Sequence, residues 1–162
     1  MNSGKEKLQT TNTTRVIKRD DSPVAVVLKK VQVLSLFSKV IDQCTKEGFN
    51  VAMDETSDWD KLALKSPRLW LDKKLFSEAL IDIIKNADKR SNREKPVNIS
   101  IRYEGLDDCT INISYYLKKS EKQSAYGRSG NFSHRTAEII LQHGAKLDQK
   151  ETREMVRVCI IF

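Results

Sequence analysis

Glycine is scarce in this chain, with 6 in 162 residues and none between Gly48 and Gly105. Loops that wrap a phosphate in backbone N–H groups need glycine, because a Cβ holds the anion away. The only close pair is Gly127 and Gly130. Cysteine is equally sparse. Cys44, Cys109 and Cys159 lie far apart among apolar neighbours with no CxxC spacing, which excludes a zinc ribbon or a disulfide framework and predicts buried free thiols. His134 and His143 are the only histidines, and no Ser/His/Asp set, Cys/His set or metal-ligand spacing accompanies them. No apolar run is long enough to span a bilayer, and the polar stretch 1–21 lacks the apolar centre of a signal peptide. The expectation is a soluble, cytoplasmic protein. Aromatics make up 7%, and no RNA- or DNA-binding motif appears. The formal charge of +7 and pI of about 9.3 therefore favour acidic partners without identifying nucleic acid.

What the chain has is one long amphipathic run. Leu71, Leu75, Ala79, Leu80, Ile83, Ile84 and Ala87 recur at helical spacing, with Asp72 placed to cap the run. On its other side Glu78, Asp82 and Asn86 fall four apart beside Lys85 and Lys89, so the polar groups form a stripe. For Glu78 and Asp82 the spacing predicts a face salt-bridged to Lys85 and Lys89.

Around this helix the pattern is regular. Residues 1–21 are rich in Ser, Thr, Asn and basic residues and read as a flexible basic tail or linker, with one domain over 22–162. Residues 23–28 are β-prone and suggest an edge strand because of Pro23. Val33 to Cys44 is an amphipathic helix stopped by Gly48, Phe49–Met53 a strand, 54–65 a polar connection around Trp59, and Leu69–Leu71 a short strand. Alternation from Val97 to Tyr103 and from Cys109 to Tyr115, split by 104–108, predicts a hairpin. Leu117–Gly130 reads as a polar, basic loop. A helix capped by Asn131 or Ser129 runs through Gln142, and strands at 145–149 and 156–162 finish the chain. The fold class expected is α/β (α+β), a two-layer sandwich. Its mixed, mostly antiparallel sheet carries three helices on one face.

Asp82-Ile-Ile-Lys-Asn-Ala-Asp-Lys89 resembles the N box of the GHKL superfamily, which reads roughly Asn-Leu-Leu-x-Asn-Ala-x-Lys in histidine kinases. Ile139-Ile-Leu-Gln-His-Gly144 is similar to the Ile-x-x-x-His-Gly-Gly that ends the family's third helix. Leu71-Asp72 sits where the family has a strand and an Asp before the N-box helix. The element order likewise resembles the histidine-kinase ATPase domain, the Bergerat fold. The resemblance implies that Asn86 stands at the Mg²⁺-chelating position and Lys89 at the phosphate-side basic position. Asp82 stands where related ATPases place a general-base Glu.

The two glycine boxes are eroded. The family reads adenine with the Asp of Asp-x-Gly-x-Gly at the end of the second hairpin strand. Here that position falls on Tyr115 or, with a two-residue slip, on Leu117. In place of Gly-x-Gly-Leu-Gly-Leu the chain has Gly127-Arg-Ser-Gly-Asn-Phe-Ser-His134. Only Gly130 remains to offer an N–H to phosphate, and Phe132 matches an apolar position. No hairpin with a His-Glu phosphoacceptor is present. His134 should face solvent and His143 should be structural.

The resemblance implies a degenerate domain, a pseudokinase in two-component signal transduction that binds a regulatory protein such as a histidine kinase or response regulator. It would have no catalytic residue, metal or cofactor, with Asp82, Asn86, Lys89 and Gly130 vestigial. Lys118, Lys119, Lys122 and Arg128 are its candidate partner-binding residues. An alternative is residual Mg-ATP binding through Asn86 with Asp82 as base. A third reading is nucleic-acid binding through the basic stretches, which has only charge behind it. Membrane association is not expected.

Overall fold

Period-two and period-3.6 apolar patterns divide the chain into the elements found in the computed structural model, which describes residues 14–17, 24–55, 57–105, 108–122 and 132–162. In chain order these are β1 (Thr14–Ile17), β2 (Val26–Gln32), α1 (Val33–Lys46), β3 (Val51–Met53), α2 (Trp59–Lys65), β4 (Arg68–Leu71) and α3 (Lys73–Arg90). They continue as β5 (Val97–Gly105), β6 (Asp108–Tyr116), α4 (Lys119–Lys122), α5 (His134–Gln142), β7 (Lys146–Glu151) and β8 (Met155–Ile161).

The larger sheet has the order β3-β5-β6-β8-β7. Its β3–β5 pair is parallel and the other pairs are antiparallel. Alternation puts Ile99 and Ile101 of β5, Ile111 and Ile113 of β6 and Val158 and Ile160 of β8 on one face, all fully buried. Against that face α3 packs between α1 and α5. This is the expected α+β two-layer arrangement. The other face is polar, and Ser100, Arg102, Thr110, Asn112, Ser114 and Arg157 line a shallow depression of about 330 Å³ there.

Helix α3 sits where its sequence dictates. The Asp72 carboxylate caps it, accepting from the Leu75 N–H at 3.2 Å and from the Val27 N–H at 3.1 Å. Phe76, Ala79, Leu80, Ile83, Ile84 and Ala87 are buried, and each large apolar side chain contributes roughly 1.5–3 kcal/mol. The far end of α5 is tied to the same cap. The Asp72 N–H donates to His143 Nε2 at 3.0 Å, and His143 Nδ1 lies 2.6 Å from the Ile139 carbonyl. The ring is therefore the neutral Nδ1–H tautomer. Burial lowers its pKa, against smaller raising effects from the Ile139 carbonyl and from Asp72. His143 is structural, as expected.

Several expectations need correction. Thr14–Ile17, placed in the tail, forms β1 and pairs antiparallel with β2. Its β-branched side chains suit a strand despite polar neighbours. As a result β2 is not an edge strand. It lies between β1 and β4 in a three-stranded sheet, and it begins after Pro23, so no ladder donor is lost. The polar connection contains α2. Leu62 is fully buried there, and Trp59 Nε1 donates to the Asp54 carbonyl at 3.0 Å. Within the expected loop Lys119–Lys122 forms α4. The α5 cap is Ser133, whose hydroxyl accepts from the Thr136 N–H at 3.1 Å; Ser129 and Asn131 lie outside the described residues. Cys44 and Cys109 are buried free thiols, whereas Cys159 is only half-buried, its thiol donating to Asn112 Oδ1 at 3.0 Å.

Candidate functional site

The polar stripe of α3 is engaged, though not with the lysines. Asp82 Oδ2 accepts from the Thr136 hydroxyl at 2.6 Å and from the Ser133 N–H at 3.1 Å. Its Oδ1 accepts from Asn86 Nδ2 at 3.1 Å, and the same nitrogen reaches the Asp82 carbonyl at 2.9 Å. No ion pair among the described residues joins Glu78 or Asp82 to Lys85 or Lys89, which corrects the salt-bridged face. A helix N-terminus attracts a carboxylate through free N–H groups and the helix dipole, and Ser133 places that end of α5 beside α3. Partial burial raises the Asp82 pKa, but the hydrogen bonds from Thr136, Ser133 and Asn86 outweigh it. The carboxyl is left below its ordinary value. A carboxylate stabilised in this way is a weak base.

At the end of β6 the side chains form a plug. Tyr115 and Leu117, the two candidates for the adenine-reading position, both point inward and are 1% exposed. Arg90, in the last turn of α3, donates through Nη1 to the Tyr115 hydroxyl at 3.2 Å and through Nη2 to Glu151 Oε1 at 3.0 Å. This polar chain runs from β6 across the helix-covered face to β7. Glu151 is the carboxylate at the β7 end of this chain of contacts, paired with the guanidinium. Leu117 is fixed by a bridge to Ser91, and the Lys118 N–H donates to the Arg90 carbonyl at 3.0 Å.

The basic candidates are more open. Lys89 and Lys118 line a cavity of about 550 Å³ with Ser91, Asn92 and Arg93. Lys118 Nζ donates to the Lys89 carbonyl at 2.8 Å, and Arg93 is paired with Asp88 at 3.1 Å. Lys119 is exposed, and Lys122 ends α4. Gly130 and Arg128 lie outside the described residues. His134 is solvent-facing, with its side chain 90% exposed and Nε2 3.2 Å from Glu138. Among the described residues no His, Cys, Asp and Glu cluster could hold a metal ion, and no helix is long and apolar enough to cross a membrane.

Sequence reasoning brought Asp82 and Asn86 together and missed what they touch. Arg90 stands among charged residues at the end of α3, yet it is 91% buried. Asp88, inside the N-box match, is 97% buried and accepts from the Asn50 N–H at 3.1 Å. The signal available was position: Asp88 and Arg90 fall on the buried side of α3 with Ile84 and Ala87.

A nucleotide of the family's kind fits these residues poorly. Neither adenine-reading candidate is a carboxylate, and the N-terminus of α5 already meets Asp82. One element does fit. Asn86 is held through its amide nitrogen, so Asp82 does not hold its Oδ1, the atom a magnesium ion would use.

Comparison with known proteins supports the fold. No protein-family model matches the chain, and no curated protein is significantly similar in sequence. Among solved structures, the chain resembles the Acinetobacter baumannii histidine kinase AdeS at 14% identity and a TM-score of 0.54. The likeness covers 83% of this chain and 66% of AdeS, so the chain spans just under two thirds of it. It resembles the catalytic domain of the histidine kinase ThkA at 12% identity and a TM-score of 0.56, covering 83% and 94%. A structure of ThkA in complex with the response regulator protein TrrA matches at 12% identity and a TM-score of 0.53, covering 85% and 42%. The chain has the fold of a histidine-kinase ATP-binding domain.

Proposed function

We propose that this domain uses the histidine-kinase ATPase fold as a scaffold for binding a regulatory protein and carries no nucleotide chemistry. The observation behind this reading is the inward, fully buried placement of Tyr115 and Leu117, which leaves the adenine amino group without its acceptor whichever alignment holds. An unpaired polar group of that kind costs roughly 1–3 kcal/mol, and the side chains also occupy the space. The Asp82 clamp supports the same reading, because the carboxylate takes the place at α5 where a phosphate would sit. In this reading the domain is a cytoplasmic pseudokinase of two-component signalling. Its partner is a histidine kinase or a response regulator, a class suggested by the complex of ThkA with TrrA. Lys118, Lys119, Lys122 and Arg128 are contact candidates.

A second reading, residual Mg-ATP binding, draws on the Asn86 carbonyl and on Lys89 beside the 550 Å³ cavity. The two separate in solution. Titrating the full chain with an isolated receiver domain, and separately with a kinase helical hairpin, should give saturable heat with one of them. Heat with neither, combined with saturable Mg-ATP binding, would overturn the binding-module reading.

A further inference from the structure

A second basic surface, whose Lys29, Lys30, Lys73 and Lys74 belong to the basic stretches of the nucleic-acid reading, lies at the opposite end of α3 from the plug. Two adjoining depressions of about 470 and 380 Å³ run between β2, α1 and the first turn of α3, sharing Leu36, Lys73 and Lys74. Leu36 and Val40 form the buried floor. Lys29, Lys39, Lys73 and Lys74 are exposed around it, and Val27, 43% exposed, adds an apolar patch at one end. Among the described residues the only acidic one in the lining is Asp72, whose carboxylate is occupied by the Leu75 and Val27 N–H groups. No ion pair among the described residues engages these four lysines.

The lysines also oppose one another. The close approach of the Lys39 ammonium, and its like charge, lower the pKa of Lys73. Two cations held together across α1 and α3 without a counter-charge are relieved by an anion placed between them. The lining narrows the choice of anion. Among the described residues it contains no aromatic side chain, whereas single-stranded nucleic acid needs stacking platforms. Val27 is its one exposed large apolar residue among the described residues, which is too little to insert into a bilayer. Exposed lysine stems along both sides of a groove match the side of an acidic amphipathic helix laid in it.

We propose that this groove docks an acidic amphipathic segment of the partner protein, its carboxylates meeting Lys29, Lys39, Lys73 and Lys74 and its apolar side chains lying along the lysine stems and Val27. The proposal rests on the partner-binding reading and moves the main contact away from the 118–128 residues.

The probe is a synthetic peptide of about fifteen residues, Leu- and Ala-based with Glu at helical spacing. Amide NMR shifts of the full chain should move in α1, β2 and the start of α3. Lys39→Glu with Lys73→Glu should weaken the peptide at least about tenfold, and a Lys-for-Glu version of the peptide should regain affinity for that variant. The same peptide with Gln for Glu, an oligothymidylate and phosphatidylserine vesicles are the controls. Shifts confined to 118–122, no peptide binding, or tighter oligothymidylate or vesicle binding in the groove each overturn the proposal. A receiver domain whose binding ignores Lys39→Glu and Lys73→Glu would leave partner binding standing and this groove refuted. Mg-ATP binding lost in Asn86→Ala would instead refute the partner-binding reading itself.

Discussion

Substituting Asp82→Ala probes the joint between α3 and α5. The change removes the acceptor of the Thr136 hydroxyl at 2.6 Å, the Ser133 N–H at 3.1 Å and the Asn86 amide at 3.1 Å. In a fully buried setting, hydrogen bonds to a charged acceptor contribute about 1.5–3 kcal/mol each. Asp82 is half-buried, so water replaces part of each, and about 1 kcal/mol per bond is the appropriate scale. The total is about 3 kcal/mol, or a fall in Tm of roughly 6–12 °C for a chain of this length. Asp82→Asn keeps one acceptor and should lose about half of that. The acid limb gives an independent check. The folded pKa of Asp82 is depressed, so its contribution is full above the unfolded value of about 3.9 and is lost as pH falls through the folded value. Urea melts at neutral and acid pH, with amide exchange at Ser133, measure both effects. Asp82→Ala melting within about 0.5 kcal/mol of the parent, or an unchanged acid limb in Asp82→Asn, would refute the clamp.

Other substitutions test the remaining joints. Arg90→Ala strands Glu151 on the helix-covered face and should cost about 3 kcal/mol by urea denaturation; replacing Glu151 by Gln in the same chain should recover part of it. His143 has a depressed pKa, so stability should be full above about 6.5 and fall as pH drops below it, by at most about 1.4 kcal/mol per pH unit. A flat profile from pH 7 to 5, with the imidazole titrating normally by NMR, would contradict the neutral, hydrogen-bonded ring. Gln142 is 7% exposed, and its Oε1 has no hydrogen-bond partner among the described residues. Gln142→Leu should therefore stabilise the domain by about 1 kcal/mol in thermal melts. Ile84→Asp buries an unpaired charge in the core and should leave no folded domain by circular dichroism.

The strands and the three long helices were legible because each buries one face, and burial imposes the period that reveals it. Ile99, Ile101, Ile111 and Ile113 alternate for that reason, and Leu80, Ile83, Ile84 and Ala87 recur on α3. Short elements escaped. Helix α2 buries only Leu62 fully and exposes Leu64 by 86%, so no period shows. Strand β1 has four residues, too few to stand out from polar surroundings. At the candidate site, the residue types at Asp82, Asn86, Tyr115 and Leu117 could be read in order, but their partners could not. Thr136 is 54 positions from Asp82 and Glu151 is 61 from Arg90. Such pairings follow from how α3, α5 and β7 stack, and no local pattern records them.

The central claim is that the fold persists without its nucleotide site, and calorimetric titration of the full chain with Mg-ATP tests it most directly. With Tyr115 and Leu117 filling the end of β6 and Asp82 at the start of α5, no saturable heat should appear up to millimolar nucleotide, and Asn86→Ala should give the same trace. Micromolar, Mg²⁺-dependent binding that disappears in Asn86→Ala would contradict the account.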